Sequence, residues 1–278
     1  MTAAGPTAVD LLSAEYLPPS ALARAGVKRQ TRAALVADGS LLRLRRGRYV
    51  RAGTHASLVE AGRLGGRLDC VSLLAELGVF VRTRHHLHLQ FEPGTTRLPL
   101  RPGTTRAHWR STHVRREAMC ADLVEALAQA CRCQTPRDAI ATLDSAWHLG
   151  LVDENGVESV FARLPRRFRA LRPLLDPRSE AGPETLVRLL LRSLGCQVAI
   201  QVTLRGVGRV DLVVDGWLIV ECDSLAFHEG WAAQKRDRRR DLVAAGLGYT
   251  TIRLLAEDIM YRPDELRAML QAVLSHSR

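Results

Sequence analysis

Three carboxylates interrupt or end apolar, strand-like segments in the C-terminal third of the chain. Asp211 lies within Val-Asp-Leu-Val-Val, and Glu221 and Asp223 end the segment Leu-Ile-Val-Glu-Cys-Asp. An isolated carboxylate in such a place costs several kcal/mol unless a partner charge or a metal ion compensates it. Glu221 and Asp223 are two positions apart, so they share one face of a strand. The pattern therefore predicts acids gathered around a cation.

The position of Asp211 relative to Glu221 depends on the turn between their strands. A two-residue loop at Asp215-Gly216 turns Asp211 to the opposite face, whereas a three-residue loop, Val214-Asp215-Gly216, with a bulge keeps both acids on one face. We expect the bulged turn, which makes Asp211 and Glu221 diagonal neighbours, roughly 7–8 Å apart at the backbone. Two carboxylates at that spacing can hold one hard cation between them.

The elements that would position these acids follow from periodicity and from turn residues. Helices are predicted over residues 184–194, 229–245 and 263–274, and strands over 198–204, 209–213, 217–222 and 249–254. The order is helix, three-strand meander, helix, strand, helix. Prolines and a glycine at 171–183 indicate a domain boundary before this region.

A family resemblance rests on residues spread through this region in a fixed order. They are Arg209-Val-Asp211, Ile219-Val-Glu-Cys-Asp223, His228, Arg236-Asp-Arg-Arg-Arg-Asp241 and Tyr249-Thr-Thr-Ile-Arg253. From about Pro183 to Leu274 the chain resembles the very-short-patch-repair-like branch of the PD-(D/E)XK nuclease superfamily, which includes the actinobacterial endonuclease-domain family DUF559. The resemblance implies a restriction-endonuclease-like αβββαβα domain that hydrolyses phosphodiester bonds with bound Mg²⁺.

The resemblance also implies roles for individual residues. Asp211 and Glu221 would bind the metal, and Glu184 matches an accessory carboxylate, although a first-turn acid is favoured on any helix. Asp223 stands where the superfamily usually has a lysine, so His228 or Lys235 would replace that lysine as base or phosphate contact. A plain surface position remains the alternative for His228. The arginines of the predicted helix would face the phosphate backbone or pair with Asp237 and Asp241; they are Arg236, Arg238, Arg239 and Arg240.

The first 52 residues read as three short helices followed by a basic hairpin, the element order of a winged helix-turn-helix. They resemble the AbiEi-type antitoxin winged-helix domain. The second helix of the motif would enter the major groove and the wing would contact phosphates, with candidate contacts from Lys28, Arg29, Arg32, Arg43, Arg45, Arg46 and Arg48. A small helical cap with a solvated charged hairpin is the alternative interpretation.

Residues 53–176 form a mixed α/β connector or scaffold in which the sequence indicates no chemistry. His86 and His88 alternate on one strand, but no neighbouring Cys or carboxylate completes a metal site, so we expect ordinary histidines. Cys131-Arg132-Cys133 lacks the two-residue gap of a zinc knuckle. Most of the six cysteines are expected to be small buried hydrophobic residues.

Charge and composition favour a cytoplasmic protein with a polyanionic partner. The 40 Lys and Arg exceed the 29 Asp and Glu, giving a net charge of +11, and double-stranded DNA is the first candidate, with RNA as an alternative. No secretory signal, disulfide framework or membrane span is expected. The sequence therefore predicts a multi-domain α/β (α+β) protein divided at 1–52, 53–176 and 177–278. It predicts a Mg²⁺-dependent DNA endonuclease, or alternatively a non-catalytic regulator with a decayed nuclease fold.

Overall fold

The computed structural model describes residues 7–223 and 231–276. The chain forms two compact units, one of residues Met1–Cys133 with Asn155–Pro165, the other of residues Gln134–Glu154 with Arg166–Arg278. Helices and several small sheets make up a mixed α and β protein, as the sequence predicts. The units divide the chain at other places than the three predicted segments, since residues 134–154 belong with the C-terminal unit.

The N-terminal segment has the predicted order of three helices and a hairpin. Its elements are α1 (Ala8–Leu12), α2 (Pro19–Arg24), α3 (Arg29–Ala37), β1 (Leu41–Arg45) and β2 (Arg48–Arg51). The hairpin is antiparallel, with Arg45 opposite Arg48 across Arg46-Gly47. Leu22, Leu41 and Tyr49 are buried together, so α2 and the hairpin share one small core. Leu35 and Val36 pack α3 against that core, and no residue of α3 is fully buried.

The rest of the first unit surrounds a three-stranded sheet of order β3-β4-β5. Its elements are α4 (Ala56–Leu64), β3 (Arg67–Leu68), α5 (Cys70–Glu76), β4 (Leu87–Phe91), β5 (Thr105–Trp109), α6 (Leu123–Cys133) and α8 (Glu154–Ala162). Strand β3 is antiparallel to β4, and β4 is parallel to β5. The amphipathic pattern of residues 117–131 predicts a helix, but α6 begins only at Leu123. The preceding segment is held extended because the Leu68 N–H donates to the Met119 carbonyl and the Ala121 N–H donates to the Leu68 carbonyl.

The second unit contains a four-stranded mixed sheet of order β6-β7-β8-β9. Its elements are α7 (Pro136–His148), a 3-10 helix (Arg166–Leu174), α9 (Gly182–Ser193), β6 (Val198–Leu204), β7 (Gly208–Val214), β8 (Leu218–Asp223), α10 (Trp231–Gly246), β9 (Thr250–Leu255), α11 (Ala256–Tyr261) and α12 (Pro263–Ser275). Strands β6 to β8 form an antiparallel meander, and β9 runs parallel to β8. The helix and strand order matches the sequence expectation, with α11 as an additional short helix.

Helices α7 and α9 pack together around a buried ion pair. Thr135 caps α7 by accepting a hydrogen bond from the Asp138 N–H, and Pro136 occupies the first helical position. Inside the contact, Arg188 Nη2 lies 2.7 Å from Asp144 Oδ2, and both side chains are fully buried. Burial raises the pKa of Asp144 to about 6, although Arg188 and hydrogen bonds from Asp176 and Thr185 act in the opposite direction. This pair holds in place the helix that carries Glu184.

Within the part of the chain that the structure describes, no helix is both long enough and apolar enough to cross a membrane.

Candidate active site

The turn between β7 and β8 differs by one residue from the predicted turn. Val214 pairs with Leu218, so the loop is Asp215-Gly216-Trp217 rather than Val214-Asp215-Gly216. Asp215 fixes this register because its N–H donates to the Gln197 carbonyl and its Oδ1 accepts from the Gln197 N–H, at 2.9 and 2.7 Å. Asp215 and Gly216 supply the positive φ angles, 48° and 77°, that the tight loop requires.

This register puts Asp211 directly opposite Glu221, which corrects the predicted diagonal arrangement. The backbone ladder between β7 and β8 runs from Val214–Leu218 to Leu212–Val220, and the two acids are the next residues. Beyond Leu212–Val220 the two strands are joined by hydrogen bonds between side chains and backbone. The Asp211 N–H donates to Glu221 Oε2 at 3.2 Å, and the Cys222 N–H donates to Asp211 Oδ2 at 2.9 Å. Each carboxylate therefore reaches across to the backbone of the other strand.

Glu184 brings a third carboxylate to this place from the first turn of α9. It accepts hydrogen bonds from the backbone N–H groups of Glu180 and Ala181, at 3.0 and 3.1 Å, so it also caps its own helix. Gln201, which would stand opposite Asp211 on β6, has a φ of 51° and donates its side-chain amide to Glu184 Oε2 at 3.0 Å. Gln201 Oε1 is buried and has no hydrogen-bond partner among the described residues.

Two of the three acids, Glu184 and Glu221, have pKa values raised to near neutral pH. Burial, followed by the negative charge of Asp211, raises the pKa of Glu184 to about 7. The same two causes, in the same order, raise the pKa of Glu221 to about 7, although Arg240 and Arg253 act against them. Buried acids that repel one another in this way favour either protonation or a bound cation. Glu184 and Glu221 are therefore buried acids whose ionised forms are unfavourable without a compensating positive charge.

Two arginines supply positive charge beside the acids. Arg240 of α10 donates to the carbonyls of Val207 and Arg209, at 2.9 and 2.6 Å, and its Nη2 lies 3.4 Å from Glu221 Oε1. Arg240 thus points into the acid cluster and not simply along the outer surface of its helix. Arg253 of β9 stands opposite Glu221 in the parallel ladder.

Arg253 also forms ion pairs with Asp241 and Asp223. Its Nη2 lies 2.8 Å from Asp241 and its Nη1 lies 3.9 Å from Asp223 Oδ1. Asp223 is an exposed residue at the end of β8. The third predicted catalytic acid is therefore part of a surface charge pair with Arg253.

Four of the remaining residues predicted for this domain lie on α10. His228 lies outside the described residues. Lys235 is exposed on α10, as are three of the predicted nucleic-acid contacts, Arg236, Arg238 and Arg239.

The predicted basic residues of the N-terminal segment divide into two groups. Lys28, Arg29, Arg43 and Arg46 are exposed. The other three have contacts within the protein. The Arg32 guanidinium lies 5.3 Å from the centre of the Tyr49 ring, Arg48 lies 4.7 Å from the centre of the Tyr16 ring, and Arg45 donates to the Arg97 carbonyl at 2.7 Å. The exposed group is therefore the better candidate for contact with a polyanion.

A second group of chemically active side chains lies in the first unit, where the sequence indicated none. Cys70, His88, His108 and Cys133 each offer one ligand atom, and these atoms all lie within 4.8 Å of one another. The expectation that no cysteine joins the histidines is therefore wrong. His88 is paired with His108 of the neighbouring strand and not with His86. The signal in the sequence was weak, because the four residues are far apart along the chain and lie on separate elements.

Comparison with known proteins gives similarity without a functional description. No family model matches the chain. Two curated proteins from strains of Mycobacterium tuberculosis, each described as an uncharacterized protein, are 29% identical to it over 151 residues. The match covers 50% of this chain and 56% of each relative, so the chain spans about half the length of the curated relatives it matches.

Proposed function

We propose that the chain is a DNA-binding protein whose second unit is a Mg²⁺-dependent endonuclease of the restriction-endonuclease-like type. The observation that carries this proposal is the placement of Asp211 directly opposite Glu221 on two adjacent strands, where each side chain accepts a hydrogen bond from the backbone of the other strand. Glu184 of α9 lies close enough to Asp211 for that negative charge to raise its pKa. From α9 to α12 the order of helices and strands agrees with the one that the nuclease resemblance implies, apart from the additional helix α11. The N-terminal helices and hairpin would be the DNA-targeting winged helix.

The residues of the site fit a hard divalent cation. Glu184, Asp211 and Glu221 interact electrostatically, two of them have a raised pKa, and the buried Gln201 Oε1 has no partner among the described residues. Oxygen ligands of this kind suit Mg²⁺ or Mn²⁺. Asp211 and Glu221 would hold the ion, with Glu184 as the accessory acid. When bound, such an ion polarises a phosphodiester and lowers the pKa of an attacking water.

The protein's own side chains supply orientation and positive charge. The hydrogen bonds between Asp211, Glu221 and Cys222 fix the carboxylates before any ligand arrives. The guanidinium of Arg240 is anchored on two carbonyls and directed toward Glu221, where it can bind a phosphate oxygen. This charge would serve in place of the lysine that the superfamily usually has at the position of Asp223. The exposed Lys28, Arg29 and Arg46 would bind phosphates sequence-independently.

Nicking of supercoiled plasmid tests the proposal. The wild type and Asp211→Asn are incubated with Mg²⁺, with Mn²⁺ and with EDTA. Asp215→Asn is the matched control, because Asp215 lies in the turn of the same hairpin and asparagine keeps both the Oδ1 acceptor for the Gln197 N–H and the tolerance for a positive φ. We expect the wild type and Asp215→Asn to nick DNA with metal only, and Asp211→Asn to lose at least about 100-fold in rate. Equal nicking by Asp211→Asn and the wild type would contradict the assignment.

A DNA-binding regulator without cleavage activity is the second candidate, and one observation favours it. Arg240 already neutralises Glu221 at 3.4 Å, so the acid cluster has a positive partner without a metal ion. In that case the protein would retard duplex DNA in a gel while neither Mg²⁺ nor Mn²⁺ produced nicks. Calorimetric titration with Mn²⁺ would also give no binding that depends on Glu221.

A further inference from the structure

We propose that Cys70, His88, His108 and Cys133 form a structural zinc site in the first unit. The site is separate from the acid cluster of the second unit and does not depend on the proposed nuclease activity. The ligand atoms converge on a small volume. His88 Nδ1 lies 3.0 Å from His108 Nε2, and Cys133 Sγ lies 3.9 Å from the same His108 nitrogen. All four ligand atoms are within 4.8 Å of one another.

These separations are close to those of a tetrahedral zinc centre. Zn–N bonds of about 2.0–2.1 Å and Zn–S bonds of about 2.3 Å place the ligand atoms about 3.3–3.8 Å apart. Small side-chain rotations would therefore suffice to bring all four atoms to bonding distance.

The chemistry of the four side chains selects the metal. Two thiolates and two imidazoles are soft to borderline ligands, and no carboxylate belongs to this cluster. Two thiolate charges balance one Zn²⁺, so the centre would be neutral, which suits the full burial of Cys70. Four protein ligands complete a tetrahedron and leave no open position for substrate, which is typical of structural rather than catalytic zinc.

The backbone around the cluster is already arranged to direct the ligands inward. They come from the start of α5, from β4, from β5 and from the end of α6, so one ion would join four elements. Cys70 has a φ of 52°, a strained value for a residue with a side chain, and such strain concentrates at functional positions. On the parallel strands His108 lies opposite Gln90, two residues from His88, so both imidazoles are on the same face.

Neighbouring residues contact the Cys133 thiol and fix the backbone that carries Cys70 and His88. Gln129 donates its side-chain amide to Cys133 Sγ at 3.3 Å, a contact that stabilises a thiolate. Beside Cys70, Asp69 is buried and receives two hydrogen bonds from Arg110, at 2.5 and 2.7 Å. Ser72 Oγ accepts from the His88 N–H at 2.8 Å, and the Asp69 N–H donates to the His88 carbonyl at 3.0 Å. The first turn of α5 is thereby fixed to β4.

Metal analysis of the full-length purified chain tests the proposal directly. We expect about one zinc per chain in the wild type, less than about a tenth of that in Cys133→Ala, and full occupancy in Cys131→Ala. Cys131 is the matched control, because it lies two residues earlier on the same helix and is not part of the cluster. The variant His108→Gln, on another element, should lose the metal as Cys133→Ala does. Asp211→Asn should retain zinc, which separates this site from the acid cluster.

A spectroscopic titration completes the test. The reduced, chelator-treated wild type should bind Co²⁺ with thiolate charge-transfer and tetrahedral ligand-field absorption, and His108→Gln should not. Chelation should lower the melting temperature of the wild type and leave that of His108→Gln unchanged. The proposal is overturned if neither Zn²⁺ nor Co²⁺ binds the reduced wild type, if Cys131→Ala loses metal as Cys133→Ala does, or if Cys70 and Cys133 are recovered as a disulfide.

Discussion

Asp211 and Glu221 connect two adjacent strands through their side chains at the point where the backbone ladder between those strands ends. The Asp211 N–H donates to Glu221 Oε2, and Asp211 Oδ2 accepts from the N–H of Cys222. The two carboxylates replace main-chain hydrogen bonds, so they are fixed in position although they repel one another. Such an arrangement stores an unfavourable charge interaction that a cation relieves. The predictions for the acid cluster depend on this arrangement.

The pKa of Glu221 predicts how stability changes with pH. Because it is raised in the folded protein from 4.5 to about 7, its contribution to stability is present below pH 4.5 and is lost as the pH rises through 7. The glutamine in Glu221→Gln does not ionise. The free energy of unfolding of this variant should therefore fall between pH 5 and pH 8 by about 1–3 kcal/mol less than that of the wild type. Urea unfolding at the two pH values measures this. An identical loss in both proteins would contradict it.

Metal affinity should increase as the pH rises, whereas the contribution of Glu221 to stability decreases. The ion requires ionised Glu184 and Glu221, each with a pKa of about 7, so binding releases protons and strengthens as the pH rises. Mn²⁺ affinity measured by calorimetry should therefore be higher at pH 8 than at pH 6, by about 10-fold or more. Glu221→Gln should show weak binding at both values. Equal affinity of the wild type at both pH values would argue against these acids as ligands.

Removing Arg240 should alter the acid cluster in a defined direction. Its charge lowers the pKa of Glu221, so Arg240→Gln should raise that pKa and shift the midpoint of pH-dependent Mn²⁺ binding to higher pH. If the guanidinium of Arg240 contacts phosphate in the wild type, Arg240→Gln should also lose DNA nicking at every pH. Arg239→Gln is the control, because Arg239 is exposed and directly precedes Arg240 on α10. This variant should leave the midpoint unchanged. A midpoint in Arg240→Gln equal to that of the wild type would show that the 3.4 Å contact is not formed in solution.

The N-terminal basic residues should determine the salt dependence of DNA binding. Arg46 is exposed at the turn of the hairpin, so Arg46→Ala should weaken binding to all duplex sequences alike and reduce the slope of log affinity against log salt by about 0.9. Arg137→Ala removes the same charge from an exposed position in the first turn of α7 and should leave the slope unaltered. Fluorescence anisotropy at several salt concentrations measures both. Equal effects of the two variants would assign binding to net charge and not to the hairpin.

The buried pair Asp144–Arg188 should be needed for the stability of the second unit. Asp144→Ala leaves the fully buried Arg188 without its partner and should lower the free energy of unfolding by about 3–5 kcal/mol. Asp258→Ala, which removes a partner of the half-exposed pair with Arg262, should lower it by less than about 1 kcal/mol. Urea unfolding followed by circular dichroism compares the two. A loss below 1 kcal/mol for Asp144→Ala would show that water reaches Arg188.

The order of elements could be predicted from sequence, because it depends on local patterns. Leucines at helical spacing predict α9, and alternation predicts β6 with its observed bounds. A capping threonine followed by a proline, Thr135-Pro136, likewise indicates the start of α7 from sequence alone. The start of α6 could not be predicted, since distant residue Leu68 holds the preceding segment extended. The acids themselves were visible in the sequence because a carboxylate within an apolar strand is unusual regardless of its neighbours.

Tertiary structure decided which side chains meet. The hairpin loop shifted by one residue because Gln197, on the segment before β6, holds Asp215 in the turn, and this placed Asp211 opposite Glu221. The cluster of Cys70, His88, His108 and Cys133 exists only because a parallel strand pair and two helix ends come together. Local patterns fix the kind and order of elements through short-range geometry, whereas a site assembled from distant residues depends on packing and strand register, which no segment of sequence contains by itself.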